Sequence, residues 1–197
     1  MGKPKRKERE PRRISDAVSP KRAEFLRYLR DGLPNKRAVE VGVCVGAHAQ
    51  QMLEELQPAR LVLVDIWPTG KPNIGYPDAT HEELMADWVY AAMYHRVGCK
   101  PGVEVIRGSS YEVALVQPDN EYGLVYIDAN HGLSHVTMDL NIWWPKVTPG
   151  GVLCGHDWDY AGITPAVNKF AEAHNLLVLI RPDSNVTHRE WAMRKPG

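Results

Sequence analysis

Asp128 closes the run YGLVYIDANH and Asp157 closes PGGVLCGHD, each at the end of a stretch that reads as a β-strand. If the two runs are neighbouring parallel strands, their carboxyl ends lie about 4.8 Å apart. Asp128, His131, His156 and Asp157 can then converge at one edge of a sheet. Carboxylates and imidazoles are the side chains that hold cations and move protons near neutral pH, so the four residues form a candidate catalytic cluster. Each also has a quieter explanation. Asp128 can cap the following helix, His131 and His135 can be a solvent-facing i, i+4 pair, and His156 can bond a backbone carbonyl. Trp158 and Tyr160 follow the cluster and are placed to touch an acceptor or to pack at its rim.

A second set lies upstream, in AVEVGVCVGAH, where Glu40, Gly42 and Gly46 are spaced ExGxxxG. Glycines let a strand-to-helix turn bend sharply and approach a ligand, and the next helix presents free amides at its N-terminus. A dinucleotide fingerprint would place further glycines where Cys44 and Ala47 stand, so the pyrophosphate reading loses its middle glycine. Asp65 ends RLVLVD at the tip of a second strand, where a carboxylate can accept hydrogen bonds from both hydroxyls of a ribose. Ser109 and Ser110 follow a third strand, VEVIRG, and can either face a ligand or cap the next helix.

The elements that must position these residues alternate regularly from Ser19 onward. KRAEFLRYLR reads as a helix, RAVEVGV as a strand, AHAQQMLEEL as a helix and RLVLVD as a strand. A Pro- and Gly-rich stretch from Trp67 to Asp78 carries no regular element and is expected to form a lid and acceptor wall with the helix EELMADWVYAAMYHR after it. Then come VEVIRG, YGLVYID, the helix VTMDLNIWWPK, GGVLCGHD and the helix TPAVNKFAEAH. Leu140, Trp143 and Trp144 are expected to cover the sheet. NLLVLIRP and VTHREWAMR are separated by Asp183, Ser184 and Asn185, too few residues for a crossover helix, and should pair as an antiparallel hairpin. The fold class is α/β: a Rossmann-like, doubly wound, seven-stranded mixed sheet ending in that hairpin.

The chain has 197 residues, no net formal charge and three cysteines, Cys44, Cys99 and Cys154, without CxxC spacing. This composition calls for no disulfide framework and suggests a cytoplasmic compartment, and no apolar run reaches the roughly 20 residues of a membrane span. Residues 1–13 hold seven Lys or Arg against two Glu. We read residues 1–18 as a basic, disordered tail and 19–197 as one domain. A tail that touches nucleic acid is the sharper alternative, but no second basic stripe or aromatic interleaving extends such a footprint.

Motif order over residues 35–193 resembles the class I AdoMet-dependent methyltransferases. From Val125 to Asp157 the pattern is similar to the metal-dependent small-molecule and sugar O-methyltransferases of the macrocin and mycinamicin type. The resemblance implies S-adenosyl-L-methionine as cofactor, with Glu40, Gly42, Gly46, Asp65, Ser109 and Ser110 binding it, Glu40 at the amino acid portion and the serines beside the adenine. It also implies a divalent cation on Asp128, His156 and Asp157, with His131 as base and Asp128 sharing the catalytic role. Oxygen ligands favour magnesium or manganese, and a nitrogen from His156 would shift the preference toward manganese, iron or zinc. The implied acceptor is a hydroxyl of a sugar or other polar small molecule. A metal-dependent hydrolase built on the same Asp/His cluster, and a non-catalytic AdoMet-binding protein, are the alternatives.

Overall fold

The computed structural model describes residues 20–67, 82–181 and 189–197. The basic tail, most of the Trp67–Asp78 stretch and the turn at Asp183–Asn185 lie outside the described residues.

Seven strands form one sheet: β1 (Arg37–Val41), β2 (Arg60–Asp65), β3 (Val103–Arg107), β4 (Tyr122–Ile127), β5 (Val147–Gly155), β6 (Val178–Ile180) and β7 (Trp191–Arg194). Their spatial order is β3-β2-β1-β4-β5-β7-β6. β1 to β5 are parallel, and β7 runs antiparallel to both β5 and β6. Parallel strands covered on both faces read as near-continuous apolar runs. All six residues of β4, YGLVYI, are buried.

Six α-helices cover the two faces. α4 (Ser110–Val116), α5 (Leu133–Trp143) and α6 (Ile163–Ala173) pack on the face carrying Val39, Val41, Val125 and Leu153. Leu140 and Trp143 are fully buried there, as their spacing predicts. α1 (Pro20–Arg30), α2 (Ala47–Leu56) and α3 (Glu82–Met93) pack on the face carrying Ala38, Leu63, Leu124 and Cys154. α3 ends in a π-turn, Tyr94–Gly98, whose Val97 packs against the β1–α2 turn.

The last two strands pair antiparallel, as the sequence predicts. Ten residues separate Ile180 from Trp191; β7 sits next to β5 and β6 is the edge. The reason is burial. Trp191, Ala192 and Met193 are within 3 % of full burial, whereas Leu177 and Leu179 are exposed on the edge segment.

The order reverses between β1 and β4, whose connections leave in opposite directions. A crevice opens outside the carboxyl ends of strands at such a switch point, and ligands of open α/β sheets bind there.

Candidate active site

The β1–α2 turn is built on a glycine that nothing else could replace. Gly42 has φ +91°, and a Cβ at that position would stand 2.2 Å from the Asp128 carbonyl oxygen and 2.6 Å from the Ala129 Cα. The tips of β1 and β4 therefore touch backbone to backbone, with the Asp128 amide donating to the Val41 carbonyl at 2.7 Å. Gly46, at φ +75°, packs against Val97, whose Cγ2 would stand 2.9 Å from a Cβ there.

Asp65 holds this turn from β2. Its Oδ2 accepts from the Val43 amide at 2.8 Å and the Cys44 amide at 2.9 Å, and its Oδ1 accepts from the Trp67 amide at 3.1 Å. A carboxylate offers about four lone-pair directions, so about one remains for a ribose hydroxyl. Trp67 is buried and its Nε1 donates to the Cys44 carbonyl at 2.9 Å. It supports the glycine turn from beneath, whereas the sequence placed it at the start of a lid. Cys44 is exposed on the turn and takes φ +52°; only Cys154 of the three cysteines is buried.

Glu40 stands on β1 where alternation would place an apolar residue, and it is 1 % exposed. The His48 Nδ1 on α2 lies 3.0 Å from its Oε1, and its Oε2 has no hydrogen-bond partner among the described residues. Burial, reinforced by Asp128 and Asp65 and opposed by Arg22, pushes the Glu40 carboxyl well above the ordinary carboxylate range. Burial, with Arg22 and His156 adding to it, pushes His48 well below the usual imidazole value, so a neutral His48 shares the hydrogen bond with Glu40. The His48 ring lies 4.0 Å from the Tyr126 ring, and the buried Tyr126 hydroxyl also has no partner among the described residues. A buried carboxylate with an open oxygen fits a cationic group, because a positive charge there removes the cost of ionising it.

The acidic cluster forms one strand step away. β4 ends at Ile127 and β5 at Gly155, so Asp128, His156 and Asp157 are the first residues freed from strand geometry. Asp157 turns the backbone to φ +57°. The His131 Nε2 lies 3.0 Å from Asp157 Oδ2 and 3.8 Å from Asp128 Oδ1. The His156 Nδ1 lies 3.3 Å from Asp157 Oδ1 and 3.9 Å from Asp128 Oδ1. Asp128, His131 and Asp157 each offer a ligand-type atom, all within 4.8 Å of one another. His131 thus joins the atoms able to surround a cation, although the sequence assigned it to proton transfer and His156 to the metal. The Asp128 carboxylate, seconded by Asp157, raises the His131 imidazole above its ordinary value against half-burial. Tyr160, half exposed, tilts over His131 with ring centroids 4.9 Å apart, while Trp158 is buried in the core.

The two serines after β3 are engaged elsewhere. Ser109 is the N-cap of α4, its Oγ accepting from the Glu112 amide at 3.2 Å and donating to Glu112 Oε2 at 2.8 Å. The Ser110 hydroxyl donates to Asp139 Oδ1 at 2.5 Å and accepts from Trp143 Nε1 at 2.8 Å. These bonds hold the start of α4 against α5, and the cap alternative raised by the sequence describes Ser109.

Sequence reasoning passed over His48, Tyr126, Arg22 and Glu190. A signal existed for His48, a histidine at the second position of the helix that follows the glycine turn. None existed for Arg22 and Glu190, which meet across 168 residues.

Among the described residues, no helix is long and apolar enough to cross a membrane. No curated protein matches the sequence. Solved structures share its fold. A Bacillus cereus O-methyltransferase in complex with SAH superposes with a TM-score of 0.64 at 17 % identity, over 92 % of this chain and 84 % of that one. The O-methyltransferase NovP gives 0.65 at 16 %, over 90 % and 80 %. Spermidine synthase from Thermotoga maritima gives 0.60 at 13 %, over 89 % and 59 %. One architecture thus carries different chemistries, and at such identities the likeness is one of fold. The sequence profile of the methyltransferase domain family matches residues 39–158, from β1 through the glycine turn and both acidic strand ends to Trp158. With more than half of its length matched, and with the seven-stranded sheet that places Glu40, Asp65 and Asp128 around one switch point, the chain belongs to the methyltransferase domain family and is a class I AdoMet-dependent methyltransferase.

Proposed function

We propose that the chain transfers the methyl group to a hydroxyl of a sugar or other polar small molecule, with a divalent cation at the acidic strand ends. The observation that carries this reading is the convergence of Asp128, His131 and Asp157, whose ligand-type atoms lie within 4.8 Å of one another. O-methyltransferases among the solved structures of this fold support it. Membership of a methyltransferase family sets aside the hydrolase reading of the same residues.

The donor set fits a cation. Asp128 and Asp157 with the His156 imidazole would hold it, a set that suits magnesium or manganese with the nitrogen moving the preference toward manganese, and His131 is left for proton transfer. A bound cation would bring two neighbouring acceptor oxygens together and ease loss of a proton from one of them. AdoMet, when bound, supplies the methyl group as an electrophilic sulfonium.

The remaining work belongs to this chain's own side chains. Glu40 receives the ammonium group of the cofactor's methionine half at its open Oε2. Asp65 keeps the glycine turn in shape through three backbone amides and offers its remaining lone pair to the ribose. His131, at the mouth of the cluster, takes the acceptor's hydroxyl proton at Nε2. Tyr160 covers that position with an aromatic edge and limits how a sugar-sized acceptor can approach.

Labelled AdoMet incubated with a panel of sugars and vicinal diols tests the reading, with chelation by EDTA and with Asp128→Asn and Asp157→Asn. Transfer to oxygen that falls at least about 100-fold on chelation and in both variants is expected, the size of effect that losing a charge-stabilising group produces. Transfer that survives chelation and both substitutions, or that goes to nitrogen or carbon alone, refutes the proposal.

A further inference from the structure

The sheet's carboxyl edge also carries a guanidinium that neither the acidic cluster nor the glycine turn employs. Arg22 precedes the buried Phe25 and Leu26 by three and four residues, so it shares the inward stripe of α1. Its side chain is 16 % exposed. The Nε donates to Glu190 Oε1 at 3.0 Å. Glu190, 1 % exposed, also faces the Arg181 Nε, 2.7 Å from its Oε2. Glu190 thus stands between two guanidinium groups, and among the described residues only Arg22 is hydrogen-bonded to its carboxylate.

Arg22 stands at the switch point. Glu190 immediately precedes Trp191, which pairs with Gly155 and donates its Nε1 to the His156 carbonyl at 3.1 Å, so Glu190 is level with the end of β5. Arg22 lies close enough to Glu40 and Asp128 for its charge to couple to both. A guanidinium has five N–H donors, and among the described residues the hydrogen bond of Arg22 uses Nε alone. The terminal nitrogens form the fork that matches a carboxylate. In the same neighbourhood the Glu40 Oε2 and the Tyr126 hydroxyl are buried without partners among the described residues.

An amino acid carries its ammonium and carboxylate on one carbon. A site that takes the ammonium at Glu40 therefore needs a donor for the carboxylate within a few ångströms. His48 is neutral and already bonded to Glu40, which leaves Arg22 as the cation beside it.

We propose that Arg22, held in place by Glu190, binds the α-carboxylate of the methionine half of AdoMet while Glu40 takes the ammonium group. The inference rests on AdoMet being the cofactor. It makes α1 part of the binding site and gives the Arg22–Glu190 pair the purpose of holding the guanidinium in place.

Calorimetric titration of the full chain with AdoMet, decarboxylated AdoMet and 5′-methylthioadenosine tests it. The first carries the carboxylate, the second lacks only that group, and the third lacks the whole amino acid half. Arg22→Met should weaken AdoMet by about 10- to 100-fold, the range for a hydrogen bond to a charged group, and leave the other two unchanged. Arg22→Lys should recover part of the loss because it restores the charge without the fork. Equal weakening of all three ligands, or of none, overturns the assignment. If Arg22→Met does not fold, Arg22→Lys against the wild type gives the same reading: AdoMet alone must weaken. A wild type that binds none of the three would instead refute the cofactor itself.

Discussion

Asp139 of α5 is 2 % exposed, yet it is a carboxylate whose neighbours are the Ser110 hydroxyl and, further off, His135. Burial raises its pKa from 3.8 to about 6, although the Ser110 hydrogen bond and His135 both act to lower it. The folded protein therefore binds this proton more tightly than the unfolded chain. Between about pH 4 and pH 6 the native state holds more protons, so stability falls as pH rises, and above pH 6 the ionised group costs about 3 kcal/mol. Asp139→Asn removes that cost and keeps an oxygen for Ser110, but it buries an amide NH2 whose desolvation costs about 1–2 kcal/mol. The variant should be more stable than the wild type at pH 8 by about 1–2 kcal/mol, or about 2–8 °C in Tm for a chain of this size. The advantage should shrink below pH 6, vanish at about pH 5 and reverse by about 1 kcal/mol near pH 4, where the wild-type carboxyl is neutral and only the buried amide's cost remains. Urea denaturation followed by tryptophan fluorescence at intervals from pH 4 to pH 8 measures it. A stability difference that does not change with pH, or a variant less stable at pH 8, would show that Asp139 is not held as a buried acid and that the Ser110–Asp139–Trp143 contact is arranged otherwise.

Gly42→Ala must displace the Asp128 carbonyl, because the new methyl would sit 2.2 Å from it at a φ of +91°. We expect a loss of about 2–4 kcal/mol in chemical denaturation together with loss of S-adenosylhomocysteine binding; a variant with wild-type stability and affinity would contradict the close approach of β1 and β4. Asp65→Ala frees the Val43, Cys44 and Trp67 amides at once, and calorimetry should find S-adenosylhomocysteine binding at least about 10-fold weaker, since hydrogen bonds to a charged group contribute about 1.5–3 kcal/mol each. Unchanged affinity would mean that the turn holds its shape without the carboxylate. Trp143→Phe deletes the Nε1 donor to Ser110 and should cost about 1–2 kcal/mol in urea denaturation while leaving cofactor affinity intact. Weakened cofactor binding in that variant would instead give the start of α4 a direct share in the site.

Local pattern carries the parts of this protein whose physics is local. The apolar runs of β1 to β5, the 3.6-residue period of α5 and α6, and the glycines at a turn that must bend sharply are all set by residues within one element of each other. The placement of Asp128 and Asp157 at strand ends follows from them, because a strand's end is marked by the loss of its apolar run. Contacts between distant segments carry the rest. β7 inserts between β5 and β6 because Trp191, Ala192 and Met193 are more apolar and better packed beside β5 than an edge position would allow, and no turn signal encodes that preference. Asp65 is largely consumed by the turn 22 residues before it, and Ser110 by a helix 29 residues after it. Whether a polar side chain faces a ligand or its own fold depends on which donors the tertiary structure has left unsatisfied. The sequence by itself determined the element order and the methyltransferase family. The tertiary structure alone decided that His131 shares its space with both aspartates, that Glu40 is buried with an open oxygen, and that Arg22 reaches the same edge from the other end of the chain, because only the folded chain assembles the desolvated surroundings that give those groups their charge and direction.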